Sequence, residues 1–230
     1  MDFILQGIYE AFHLLLTGDE ETYFAIKSTI YTSSIAIMIT LFIGMPLGFC
    51  LGYYNFRGRK VLRLISDTGL AMPTVAIGLI LYALLSYRGP LGSFGLLFTL
   101  KAVIIGQICL SLPIVISLTA SAIENMDKKH MLLLKSYHLS GLESVKAVLF
   151  ENRYSLMVVV ASAYGRIVAE VGVAMMIGGN IKWFTRTITT AISLETNKGE
   201  FAMGIALAFV LIAIAFLVNL SIVGLKRFDR

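Results

Sequence analysis

None of the short patterns that carry catalytic chemistry occurs in this sequence. There is no glycine-rich phosphate loop ending in Gly-Lys-Ser/Thr, no HExxH, no GxSxG, no paired-cysteine motif and no histidine pair at metal-ligating spacing. His130 and His138 stand eight apart on different turns of a polar loop, and only a hidden site around them would support a membrane enzyme, a remote reading. Cysteine is scarce. Cys50 and Cys109 each sit inside an apolar run, without metal-like spacing, and are expected as buried inert thiols, a disulfide being possible but unprompted. Charge is scarcer still for a chain of this size: 14% of 230 residues, against 57% hydrophobic and a mean hydropathy of +0.83. A soluble domain cannot hide that much apolar surface, so the chain reads as an all-α integral membrane protein. The net charge of +5 lies in the loops, which argues against a nucleic-acid surface and for charge-sorted membrane topology. The start of the chain lacks the basic residues and cleavage site of a signal peptide, and no lipidation motif is evident.

What is present is a series of apolar segments. Residues 3–16 are apolar but short, with Gln6, Glu10 and His13 forming a polar stripe, so residues 1–22 are expected as an N-terminal interfacial segment. The remainder, 23–230, is expected as one transmembrane domain with five spans: 28–56, 68–87, 102–123, 154–181 and 201–225. The first carries Gly44, Gly48 and Gly52 around Pro46, a spacing that admits a close neighbouring helix. Met72-Pro73-Thr74 and Gly78 interrupt the second, and Pro113 lies within the third. With the N-terminus outside and the C-terminus cytoplasmic, the inner loops hold Arg57, Arg59, Lys60, Arg63, Lys128, Lys129, Lys135, Lys146, Arg153, Lys226, Arg227 and Arg230. The outer side holds only Lys27, Arg88, Lys101, Lys182, Arg186 and Lys198, and that excess favours this orientation.

The cytoplasmic stretch 124–153 is the longest polar break and has internal order. A leucine-rich run at 131–139 ends at Ser140-Gly141, and a second helical pattern follows with Leu142, Val145, Val148 and Leu149 on one face. Ser140 and Glu143 have capping-box spacing, and Gly141 suits a corner between two short helices. Such a loop is fit to receive a partner. In the fourth span Arg166 and Glu170, four apart, share a helix face. An intramembrane pair costs enough to suggest a pathway or gate, although a structural pair that fixes helix register has the same spacing. Outside, beyond a breaker at Gly178-Gly179-Asn180, Thr185, Arg186, Thr187, Thr189 and Thr190, with Lys182 nearby, offer hydroxyls and a guanidinium, the donors that a tetrahedral oxyanion needs. The same residues would also suit an ordinary interfacial helix.

The glycine and two-helix shape of 124–153 resemble the coupling loop of permease subunits of ABC importers, with Lys135, Ser136 and Tyr137 standing at the family's Glu-Ala-Ala positions and Gly141 at its glycine. GMPLG at 44–48 and MPTVAIGL at 72–79 are similar to the molybdate, sulfate and tungstate group. GRIVAEVGVAMMIGGNI at 165–181 and TRTITTAISLETNKG at 185–199 resemble the tungstate-type permeases in particular. The resemblance implies a type I ABC importer permease: a non-catalytic, cofactor-free homodimer in the cell membrane, importing tungstate by alternating access. An ATP-binding subunit would dock at Lys135, Ser136, Tyr137, Ser140, Gly141, Leu142 and Val145, and an extracytoplasmic oxyanion-binding protein would deliver the ion. Arg166 and Glu170 are expected at the pathway or gate, and Asn180, Thr185, Arg186, Thr187 and Thr189 at the outer vestibule. A molybdate or sulfate permease of the same architecture is the nearest alternative. An ATPase-independent channel or carrier is a more remote one.

Overall fold

The computed structural model describes residues 2–126 and 141–227, and among these the chain is helical with no strand. Lys135, Ser136, Tyr137 and Ser140 lie outside the described residues. Helix α1 (Asp2–Thr17) leads, after a turn at Gly18, into α2 (Glu20–Tyr53), whose start is capped by Asp19 accepting the Thr22 N–H at 2.8 Å. At 1.5 Å per residue α2 is about 50 Å long, more than the ~30 Å hydrocarbon layer, and it runs unbroken past Pro46. Helix α5 (Leu100–Glu124) is the second long, apolar helix.

These two helices run parallel in constant register. Thr40 and Ser111 share a hydrogen bond of 2.7 Å, and the register continues as Gly44 on Val115, Gly48 on Thr119 and Gly52 on Ile123. A Cβ added at Gly48 would stand 2.7 Å from the Ile116 carbonyl oxygen, and one at Gly52 2.8 Å from that of Ala120. Close approach therefore requires glycine at these positions, as the four-residue spacing suggests. Buried hydroxyls along the seam bond back to their own helices, Thr29 to the Ala25 carbonyl at 2.7 Å and Ser111 to that of Gln107 at 2.7 Å. These hydroxyls thus enter the apolar layer with partners, whereas Thr119 Oγ1 and Gln107 Oε1 are buried with none among the described residues. Around the seam Ala36, Ile37, Ile114 and Val115 pack with Val159, Ala163 and Ile167 of α7 (Arg153–Val168), forming the central core.

Helices α3 (Arg59–Leu70) and α4 (Thr74–Leu85) meet at a bend of 102°. The bend falls where Pro73 disfavours helical backbone at Met72 and then starts the next helix. Residues 68–87, expected as one interrupted span, are therefore a sharp corner, and the basic loop expected at 57–63 contains the first turn of α3. The fourth expected span is also divided. Helix α7 ends at Val168, about 24 Å long and short of a full crossing, and a π-helical turn (Ala174–Gly178) follows the break. Among the described residues three helices, α2, α5 and α9 (Phe201–Arg227), are long and apolar enough to cross a bilayer, and a fourth if the bent pair is one span.

Helix α6 (Gly141–Glu151) packs Val145, Val148 and Leu149 against Phe49 of α2 and Ile123 of α5. Helix α8 (Ile188–Lys198) precedes α9, and Ile188, Ala191, Ala206, Leu207 and Val210 enclose a second core with Ala11 and Leu14 of α1. Gly7 lies so close to Ile205 that an added Cβ would sit 2.5 Å from its Cγ2. One face of α1 is thus held by α9, while Leu5, Tyr9, Phe12 and Leu16 point outward. Cys50 and Cys109 are free and exposed on outer helix faces, contrary to their expected burial. In a membrane bundle apolar side chains face outward as readily as inward, so hydropathy alone does not mark the core.

Candidate functional site

The two interrupted segments meet. Gly172, in the break after α7, faces the first residues of α4: an added Cβ would lie 3.0 Å from Thr74 Oγ1 and 3.2 Å from Val75 Cγ2. The π-helical turn then lies across α4 and α5, with Val173 and Met176 against Gly78 and with Val173 and Ile177 against Gly106. Leu85, Ala102, Leu110, Val173 and Ile177 form the small core beneath it. Non-helical backbone at this place is enclosed by protein, where its polar groups can be satisfied.

Arg166 and Glu170 pair at 3.0 Å across the end of α7. Their environments differ sharply. The Arg166 side chain is 45% exposed, the Glu170 side chain 2%. The second carboxylate oxygen of Glu170 accepts the Val173 N–H at 3.1 Å, so one side chain both neutralises a guanidinium and caps the backbone that resumes after the break. Its own carbonyl accepts a hydrogen bond from Thr189 Oγ1 at 2.9 Å, which ties the break to α8. The guanidinium is thus the exposed member of the pair and the carboxylate the buried one.

The outer residues are brought together, but their donors turn inward. Thr185 Oγ1 donates to the Gly178 carbonyl at 2.6 Å and accepts the Ile181 N–H at 3.0 Å. Thr187 and Thr190 form a reciprocal capping box at the start of α8, and the Ile188 N–H donates to Thr29 Oγ1 of α2 at 2.9 Å. Arg186 is 9% exposed; its Nε donates to Asn180 Oδ1 at 3.2 Å and its Nη1 pairs with Glu21. Lys182 pairs with the same carboxylate. The hydroxyls of Thr185, Thr187 and Thr189 are therefore already engaged within the chain. Above them a cleft of about 330 Å³ is bordered by Asp19, Glu21, Lys182, Arg186, Glu195 and Lys198.

In the sequence Glu21 falls only within the N-terminal segment expected at 1–22, with nothing to mark it as a site residue. Its partner Arg186 lies 165 positions away, and no local spacing announces such a contact. Thr74 was legible only as the residue after a proline. In the stretch expected to be cytoplasmic, Gly141 opens α6, is exposed, and has no described atom within 4 Å of an added Cβ. Leu142 lies on the first turn of that helix, and Val145 on the face that seats it. Among the described residues no three His, Cys, Asp or Glu side chains gather as a metal site.

Residues 44–228 match the family described as binding-protein-dependent transport system inner membrane component. Over 227 residues the chain is 61% identical to the tungstate uptake system permease protein TupB of Campylobacter jejuni, covering 99% of this chain and 95% of that protein. It is 34% identical to the protein of the same description from Peptoclostridium acidaminophilum, over 99% of this chain and all of that one. More distant is the sulfate transport system permease protein CysT of Salmonella typhimurium, 28% identical over 90% of this chain and 77% of that one.

Proposed function

Because this chain belongs to the inner membrane components of binding-protein-dependent transport systems, we propose that it is the translocating subunit of an ATP-driven tungstate importer. The observation that carries the substrate is the 61% identity, end to end, to a tungstate permease, against 28% to a sulfate permease. The family implies an ATPase and a substrate-binding protein as partners. In this reading two copies of the chain flank a pathway on their common axis, and the binding protein meets the face that holds Glu21 and Arg186.

The coupling role falls on Lys135, Ser136, Tyr137, Ser140, Gly141, Leu142 and Val145. The open space at Gly141 supports it, since nothing among the described residues needs a glycine there. Helix α6 rests on the cytoplasmic ends of α2 and α5, so force applied to it reaches both long helices. Arg166 and Glu170 act at the pathway. The exposed guanidinium attracts the dianion at an apolar level, while buried Glu170 limits how tightly it is held. Asn180, Thr185, Arg186, Thr187 and Thr189 form the wall of the outer vestibule, shaping it through internal bonds and leaving oxyanion capture to the binding protein.

The test is co-purification with the ATPase subunit, followed by ATP hydrolysis with tungstate-loaded binding protein and uptake in competition with molybdate and sulfate. Stimulated hydrolysis and uptake suppressed first by tungstate are expected. Stimulation by sulfate-loaded protein alone would reassign the substrate, and failure to bind any ATPase would remove the importer reading.

A further inference from the structure

Helix α3 is amphipathic in the reverse of the usual sense. Val61, Leu62, Leu64 and Ile65 are exposed, whereas Arg59, Arg63, Ser66 and Asp67 turn toward α5. The contacts form an antiparallel ladder along the cytoplasmic half of α5. Gly69 rests on Pro113, Asp67 accepts from Ser117 Oγ, Arg63 donates to Ser121 Oγ, and Arg59 pairs with Glu124 at 2.6 Å. Both guanidiniums also reach backbone: Arg59 Nε donates to the Leu51 carbonyl of α2 at 2.7 Å, and Arg63 Nη1 to the Ser117 carbonyl at 2.8 Å. Arg59 additionally donates to Asn55, Arg63 pairs with Asp67 at 3.3 Å, and Glu124 lies 3.7 Å from Arg63. Two planar forks thereby lock three helix ends together, a role lysine cannot fill.

We propose that Arg59 and Arg63 are positioning residues for transport, which make α3 move with α5 so that displacement at the coupling loop reaches the bend at Pro73. The inference rests on the importer reading. Glu124 is the last residue of α5 and the first of the coupling stretch 124–153, so it is where that displacement enters. At its other end α3 turns through 102° into α4, whose Thr74 abuts Gly172 beside Glu170. Loop, ladder, corner and Arg166–Glu170 break thus form one contiguous mechanical line. Side-chain exposure of 27% at Arg59 and 20% at Arg63 leaves the ladder less screened than a free surface pair.

The experiment measures tungstate imported per ATP hydrolysed in liposomes containing the chain, its ATPase and loaded binding protein. Arg59→Gln, Glu124→Gln, their double variant and Lys60→Gln, on the exposed side of α3, are compared. Glu124→Gln, which retains a side-chain acceptor, is the mildest change should Arg59→Gln fold poorly. Hydrolysis is expected to persist while import per ATP falls about tenfold in each single variant. The double variant should fall no further, because both substitutions cut one link, and Lys60→Gln should keep the wild-type ratio. An unchanged ratio in Glu124→Gln, or hydrolysis and import falling together, overturns the proposal. Wild-type liposomes without ATP-dependent import overturn the importer reading and this inference with it, whereas a coupled wild type with unaffected variants overturns this inference alone.

Discussion

Glu170 has one oxygen on Arg166 and the other on the Val173 N–H, and the two contacts make separable predictions. Glu170→Gln keeps an acceptor for the backbone and loses the charge; Glu170→Ala loses both. Thermal unfolding in detergent is expected to show the alanine variant about 1–3 kcal/mol less stable, the cost of a buried unsatisfied N–H, with the glutamine variant nearer wild type. Tungstate uptake is expected to fall in both, because both release Arg166 from its counter-charge. Full uptake in Glu170→Gln would leave Glu170 a cap and nothing more. Gly141 is the second residue with a sharp expectation. Gly141→Val should leave insertion and unfolding unchanged, since no described neighbour opposes it, while lowering ATPase binding in a pull-down.

Among the elements, the α2–α5 seam is the most demanding. Gly48→Ala places a methyl against the Ile116 carbonyl and should cost about 1–3 kcal/mol by overpacking. Gly165→Ala, in α7 with open space around it, should instead stabilise its helix by roughly 0.5–1 kcal/mol. Unfolding midpoints of the two variants, moving in opposite directions, check this. The seam was legible in advance because Gly44, Gly48 and Gly52 repeat at the helical period, and so was the seating face of α6, from Val145, Val148 and Leu149. The α3–α4 corner was not. A proline and a glycine mark an interruption, but the angle depends on Gly69 against Pro113 and Thr74 against Gly172, contacts between distant parts of the chain. For the same reason Arg59 and Arg63 read as loop charges satisfying the positive-inside rule. Their inward direction is set by Glu124 and the Ser117 carbonyl, which no local pattern links to them.

At the scale of the whole molecule, the outer threonines show where reasoning from residue type stops. Thr185, Thr187 and Thr189 have the right chemistry for an oxyanion, yet the fold uses their hydroxyls to tie the π-helical turn, α8 and the Glu170 break together. Which donors remain free is decided by tertiary closure. Orientation is checked with single cysteines in a cysteine-free background: Asp19→Cys and Lys198→Cys should react with an impermeant maleimide from outside intact cells, and Arg57→Cys only after permeabilisation. The central claim, that this bundle has no engine of its own and moves tungstate only when a partner hydrolyses ATP, is tested most directly by tungstate flux into liposomes. The chain alone should pass none, and flux should appear only with the ATPase, loaded binding protein and ATP together. Free passage through the isolated chain would contradict the account.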